Sequence, residues 1–228
     1  MNSLFITGTD TDSGKTFVCA GIAAELRSRG IIAFPSKPVQ TGCVNDIAPD
    51  LRFAMETAGI QAPAEQMKEL SPLRFEQPCS PHLAAELAGT PINIHELAAK
   101  MKKLEVRYGP LIAEGAGGVM VPMGPGNTML DFMRELGWPV VLVSTDRLGT
   151  INHTLLSISA IKDHGLELAG VVINHSAPPS KLISASNTRA IREYGAVSIL
   201  GEVRYSPDVF PYESFRSICD NLEGRLLK

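Results

Sequence analysis

The chain has 228 residues, 44% hydrophobic and 20% charged, with a formal net charge of −3. That composition suits one substantial globular core, and with no basic run or aromatic ladder it argues against a nucleic-acid partner. No apolar run approaches membrane-span length, no basic n-region with a long apolar h-region opens the chain, and Cys19, Cys43, Cys79 and Cys219 form no Cys-x-x-Cys pair, so a cytoplasmic protein with reduced thiols is expected.

In chain order, Leu4–Thr7 predicts a buried strand. It runs into Gly8-Thr9-Asp10-Thr11-Asp12-Ser13-Gly14-Lys15-Thr16, the strand–loop–helix setting of a phosphate-binding loop. Five residues separate Gly8 from Gly14 where the usual motif has four, so the loop is a variant. A helix is predicted from Lys15 to Arg29, with Phe17, Val18, Ile22 and Leu26 as its buried stripe and Gly30 after its end. A second strand is predicted at Ile31–Phe34, followed by the ordered loop Lys37-Pro38-Val39-Gln40-Thr41-Gly42. Helices are predicted at Asp50–Ala58, His82–Leu87 and Ile94–Leu104. Gln61–Pro81, rich in proline and polar residues, reads as an excursion over the sheet. Strands are expected at Leu111–Ala113, Val140–Ser144, Gly170–Ile173 and Val197–Leu200, and helices at Asn152–Asp163 and Ser184–Tyr194. No element is assigned after Pro207. The strands are Val/Ile/Leu-rich without clean alternation, as strands buried on both faces are. Strand–helix alternation therefore predicts a single α/β domain over residues 1–228: a mostly parallel central sheet with helices on both faces, of the P-loop NTPase kind.

The loop supplies backbone N–H groups and a helix N-terminus for an anion. Lys15 adds charge for phosphate oxygens, and the Thr16 hydroxyl suits Mg²⁺. Lys37 follows a core strand at the edge where open α/β sheets bind ligands. As a surface lysine it would be solvated; beside a phosphate loop it is expected to face Lys15 across one anion. Glu114, opening Glu114-Gly115-Ala116-Gly117-Gly118 after another strand, suits a metal role, and its glycines allow close backbone approach. Asp50 is a candidate second carboxylate, with Asp46, Asp12 and Asp10 competing. Asp146-Arg147-Leu148-Gly149-Thr150-Ile151-Asn152-His153 opens a helix whose free N–H groups can hold a carboxylate, or whose Thr150 or Asn152 is a plain cap. Asn174 can donate and accept toward a base edge, or is a turn residue. The histidines are dispersed and no zinc site is expected.

Gly8-Thr9-Asp10-Thr11-x-x-Gly14-Lys15-Thr16, Lys37-Pro38-Val39-x-Thr41-Gly42, Ser80-Pro81-His82, Glu114-Gly115-Ala116-Gly117-Gly118 and Leu148-Gly149-x-Ile151-Asn152-His153 occur in this order. Together they resemble the signatures of dethiobiotin synthetases, from about Leu4 to Asn174. The resemblance implies an ATP- and Mg²⁺-dependent ligase of biotin synthesis that carboxylates 7,8-diaminononanoate with CO₂ and closes the ring to dethiobiotin, releasing ADP and phosphate. By carry-over Lys15 and Lys37 are catalytic, and Thr16, Asp50 and Glu114 hold Mg²⁺. Nucleotide contacts fall on Asp12, Ser13, Gly14, Lys15, Thr16, Phe17, Glu114, Gly115, Ala116, Gly117, Asn174, His175 and Arg204. Substrate contacts fall on Thr11 and Thr41, and on Gly149, Thr150, Ile151 and Asn152 reaching across a homodimer interface. Asp12 stands where a glutamate is common in the family, and Arg204 where its base-lining segment has proline. A cobyrinate-type amide ligase would need an ammonia source for which the chain has no room. A partition-type ATPase switch would need an additional lysine early in the loop, and Gly8–Ser13 has none.

Overall fold

The computed structural model describes residues 2–226. In chain order it contains β1 (Leu4–Gly8), α1 (Lys15–Ser28), β2 (Phe34–Ser36), β3 (Val39–Gln40), α2 (Pro49–Thr57), α3 (Ala64–Leu70), β4 (Leu73–Arg74), α4 (Pro81–Leu87) and α5 (Ile94–Tyr108). Then follow β5 (Leu111–Gly118), β6 (Pro122–Gly124), β7 (Asn127–Thr128), α6 (Met129–Leu136), β8 (Val140–Thr145), α7 (Thr150–Asp163), β9 (Leu168–Asn174), α8 (Lys181–Gly195), β10 (Ile199–Val203) and α9 (Glu213–Leu226). Six strands form one sheet in the order β10-β9-β8-β1-β5-β2, and every pairing in it is parallel. β1 lies inside the sheet between β5 and β8, so the loop after it opens at the carboxyl edge where the chain order reverses. That is where such sheets bind ligands.

Register brings distant residues together. Ile6 lies opposite Glu114, and Ser36 opposite Ala113. Lys37, one residue beyond Ser36, therefore emerges beside Glu114. β1 and most of β8 are fully buried, which explains their unbroken apolar runs. Helix α1 crosses the sheet with Val18, Cys19, Ile22 and Leu26 inside. Gly21 lets α9 approach: a Cβ there would lie 2.2 Å from Cζ of Phe215.

The structure corrects several sequence expectations. The second strand is Phe34–Ser36, not Ile31–Phe34, because Ile31 and Ile32 lie in the exit turn of α1, where Gly30 takes φ 79° and Ile32 is exposed. The last strand is Ile199–Val203, not Val197–Leu200; it pairs along β9 through Glu202 and Val203 opposite Ile173 and Asn174. The strand before Glu114 continues to Gly118, so Glu114 lies within β5. The 61–81 excursion contains α3 and β4, the latter paired with β3. Helix α6 begins with a capping box in which Thr128 and Asp131 satisfy each other. The C-terminal segment folds as α9, burying Phe215, Ile218, Cys219 and Leu222 at helical spacing.

Candidate active site

The loop between β1 and α1 is built on close approaches. Gly14, at φ 93°, caps α1 without a side-chain hydrogen bond, leaving the N–H groups of the first turn for a ligand. A Cβ on Gly14 would sit 2.1 Å from Asn174 Nδ2, and one on Gly8 would sit 2.1 Å from Ser13 Oγ. Asn174 Nδ2 donates to the Ser13 carbonyl at 3.1 Å, so the end of β9 clamps the phosphate loop. Its side-chain oxygen carries no hydrogen bond among the described contacts and can accept from a ligand.

A cleft of about 610 Å³ lies over this loop. It gathers Thr11, Asp12, Gly14, Lys15, Thr16 and Phe17 from the loop and α1, Lys37 just after β2, Thr41 just after β3, Asp50 from α2, and Glu114, Ala116 and Gly117 from β5. Gln40 and Phe53 also line it; no sequence motif had singled them out.

The floor is a charge cluster. Lys37 is not solvated: it is 4% exposed, and its Nζ lies 2.6 Å from Glu114 Oε1 and 2.7 Å from Asp50 Oδ2, and donates to the Gly115 carbonyl at 3.2 Å. Thr16 Oγ1 donates to the same Glu114 oxygen at 2.8 Å. Burial alone would push the Lys37 ammonium down, but the Glu114 and Asp50 carboxylates outweigh it and hold it above its ordinary value. Lys15 is also buried, with Nζ on the Asp10 carbonyl at 2.8 Å. Burial, with the nearby Lys37 charge adding to it, lowers Lys15 to about 8. Each lysine thus sits in a water-poor site where a developing negative charge is strongly stabilised.

The donor set fits a hard divalent cation. Glu114, Asp50 and the Thr16 hydroxyl offer oxygen ligands around one point, now neutralised by the Lys37 ammonium. Among the described residues no group of three or more His, Cys, Asp or Glu gathers, so a metal here would draw its remaining ligands from phosphate and water, as Mg²⁺ commonly does. The competing aspartates separate by geometry. Asp46 pairs with Arg74 at 2.7 Å, and Asp10 with Arg147 at 2.8 Å. Asp12 lines the cleft mouth at φ 58°. Asp50 alone of the four meets Lys37.

Other predicted site residues lie elsewhere. Ser13 is buried beneath the loop. The His175 ring is also buried: Nδ1 lies 3.2 Å from Asp146 Oδ2 and Nε2 lies 2.9 Å from Glu202 Oε2. Its side chain is committed to tying β8, β9 and β10 together and is not presented to a ligand. Arg204 is exposed just past β10. Gly149–Asn152 do not reach the cleft of their own chain. Gly149 itself is the N-cap of α7 at φ 90°, with no side-chain cap, so neither Thr150 nor Asn152 caps that helix. Thr150 instead shares a buried hydroxyl contact with Ser144 at 2.8 Å.

A family model described as an AAA domain matches residues 2–212. The chain is 40% identical over 210 residues to the ATP-dependent dethiobiotin synthetase BioD of Halalkalibacterium halodurans, covering 92% of this chain and 87% of that one. It is 35% identical to the protein of the same name in Methanococcus vannielii, with 91% and 95% covered, and 32% identical to that of Bacillus licheniformis, with 100% and 96% covered. Among solved structures, the cell division ATPase MinD of Pyrococcus furiosus superposes with a TM-score of 0.58 at 13% identity, covering 99% of this chain and 100% of that one. The MinC:MinD complex of Aquifex aeolicus gives 0.60 at 12%, covering 100% and 96%. At such identities the likeness is one of fold.

Proposed function

The chain belongs to the ATP-dependent dethiobiotin synthetase family, and from that premise we propose that its cleft carboxylates 7,8-diaminononanoate with CO₂ and closes the ureido ring at the expense of ATP. The observation that carries the residue assignments is that Lys37, Thr16, Asp50 and Glu114 meet in the cleft that Lys15 also lines, beside the phosphate loop. An amine adds to CO₂ and gives a carbamate, whose oxygen is a poor leaving group until phosphorylated. The second amine then attacks the carbamate carbon as phosphate departs. Each step places negative charge on oxygen, and two water-poor ammonium groups stabilise it without reorganisation. Lys15, freed from the Asp10 carbonyl, takes the transferring phosphoryl group. Lys37 takes the carbamate. Mg²⁺ held by Thr16, Asp50 and Glu114 would neutralise phosphate oxygens of the nucleotide. Thr11 and Thr41, both lining the cleft, offer hydroxyls to the diamine, and the accepting oxygen of Asn174 favours a base with an exocyclic amino group.

The helix start at Gly149–Asn152 serves a neighbouring copy in this reading. Leu148 is fully exposed, Met120 and Leu156 are more than half exposed, and with Val121 and His153 the last two line a groove of about 500 Å³. So much apolar surface around free helix N–H groups suits a homodimer in which each copy presents this helix start to the other's substrate carboxylate. The reduced thiols of Cys19, Cys43 and Cys79 suit a reducing cytoplasm.

The test is to incubate the purified protein with diamine, bicarbonate and MgATP and detect dethiobiotin by mass. ADP release should require both diamine and CO₂. Comparable ATP turnover without the diamine would instead support a nucleotide switch.

A further inference from the structure

The Ser13–Gly14 peptide is the joint at which the phosphate loop becomes α1. Gly14 has no side chain, and its carbonyl is turned into the helix to accept from the Val18 N–H at 2.9 Å. What it presents to the cleft it lines is therefore its N–H and Cα. That N–H meets no acceptor among the described residues, as is usual at the open end of a helix. Local sterics leave its direction open, because glycine tolerates both signs of φ and the peptide before it can turn over at little cost. A trans peptide is planar, with its C=O and N–H pointing opposite ways, and no peptide bond among the described residues is cis. Whatever holds the Ser13 carbonyl thus aims the Gly14 N–H. Asn174 holds it: Nδ2 donates to that carbonyl at 3.1 Å, from a buried side chain.

Asn174 is itself held from behind. Its carbonyl accepts from the Asp146 N–H at 3.2 Å, and the next residue, His175, donates its N–H to the Val203 carbonyl at 3.0 Å. The buried His175 ring lies between two carboxylates, 3.2 Å from Asp146 Oδ2 and 2.9 Å from Glu202 Oε2. With both nitrogens committed, the ring fixes Asp146 against the strand end that carries Asn174. Resting on the reading of the cleft as a nucleotide site, we propose that Asn174 and His175 are positioning residues for phosphate. The ring sets the strand end, Asn174 sets the Ser13 carbonyl, and the Gly14 N–H is thereby aimed at the phosphate chain. A donor set in advance needs no reorganisation when the anion arrives. In this role Asn174 acts on the phosphates whatever base the nucleotide carries, through its Nδ2 and not through its side-chain oxygen.

Inorganic tripolyphosphate with Mg²⁺ carries the phosphates and no base, so it is the probe, beside MgATP. Titration calorimetry well below the melting temperature should show Asn174→Ala binding each ligand roughly tenfold more weakly, since a hydrogen bond to a charged oxygen is misdirected. His175→Phe keeps a flat ring and removes both nitrogens, and should weaken both ligands roughly threefold. Because it acts through Asn174, it should add nothing in the double variant, which should bind no more weakly than Asn174→Ala alone. A merely structural role would lower the melting temperature and leave these affinities unmoved. If His175→Phe does not fold, His175→Gln takes its place in the same cycle. Wild-type tripolyphosphate affinity in Asn174→Ala, with only MgATP weakened, would make Asn174 a reader of the base and overturn the proposal. Wild-type affinities in the His175 variant, or losses that multiply in the double variant, would overturn the part given to the ring. If wild type binds neither ligand, the nucleotide reading of the cleft falls first; if it binds both and the variants bind them equally well, only the positioning role falls.

Discussion

At the scale of single residues, Lys37 carries opposite obligations. It is the buried counter-ion of Glu114 and Asp50, and in the proposed reaction it is also the cation that meets the carbamate. Lys37→Ala should therefore cut turnover about a hundredfold or more. It should also destabilise the ligand-free protein by about 3–5 kcal/mol, because two carboxylates lose the ammonium that offsets their burial. A divalent cation can take the vacated place, so added Mg²⁺ should raise the melting temperature of the variant more than that of wild type. A variant equally stable with and without Mg²⁺, and as stable as wild type, would show that the ion pair contributes nothing. Glu114→Gln tests the same point from the other side. A neutral amide is a poorer ligand for a hard cation, so the Mg²⁺ concentration for half-maximal activity should rise roughly tenfold. An unchanged Mg²⁺ dependence would remove Glu114 from the metal site.

At the scale of elements, the carboxyl edge is held by a polar tie. Asp146, just after β8, accepts from Ser184 and Asn187 of α8 and faces His175 at the end of β9, whose other nitrogen faces Glu202 of β10. The Asp146 backbone N–H donates to the Asn174 carbonyl, so the tie supports the residue that clamps the phosphate loop. Burial would raise the Asp146 carboxyl, but the Ser184 and Asn187 hydrogen bonds and the His175 ring outweigh it and hold it below its ordinary 3.8. A depressed carboxyl contributes stability above its unfolded value and loses it as pH falls through the native one. Asp146→Asn should thus cost about 1–3 kcal/mol at neutral pH, a gap that persists down to about pH 4 and narrows below it. Urea unfolding across that range measures it, and a gap that widened in acid would contradict the assignment. The α1–α9 contact depends on a missing side chain. Gly21→Ala pushes a methyl into the Phe215 ring and should cost about 1–3 kcal/mol, whereas pairing it with Phe215→Leu should recover part of the loss.

At the scale of the whole molecule, the cleft holds the phosphate loop and both lysines, but the α7 start lies outside it. If each site is built from two copies, two damaged variants should rescue each other. Lys37→Ala removes one half of a site. Asn152→Glu, at an exposed position, sets a carboxylate against the substrate's own and removes the other half; Gly149, at φ 90°, is a poorer choice because any side chain there strains the backbone. Random mixing makes half the dimers mixed, each with one intact site, so activity should recover to about a quarter of wild type. Subunit exchange must be shown separately by tag pull-down. Exchange without recovery would mean that each site lies within one chain.

The sequence by itself determined the phosphate loop, the alternation that makes a parallel sheet, and the candidate charges Lys15, Lys37 and Glu114, because each depends on local pattern: an apolar strand, a glycine turn, a helix stripe. Helices α6 and α9 were legible too, through the Thr128–Asp131 capping pair and the spacing of Phe215, Ile218, Cys219 and Leu222, though neither was read. What only the tertiary structure decided is which distant residues meet. Nothing local distinguishes Asp50 from Asp46, Asp12 or Asp10; the parallel register of β1, β5 and β2, with α2 packed beside them, does so by setting Asp50 and Glu114 on the same lysine. Nothing local shows that the His175 ring is turned away into a tie between strand ends, or that Asn174 holds the Ser13 carbonyl. Those facts belong to close packing, in which each polar group finds its partner only when strands far apart in the chain lie side by side.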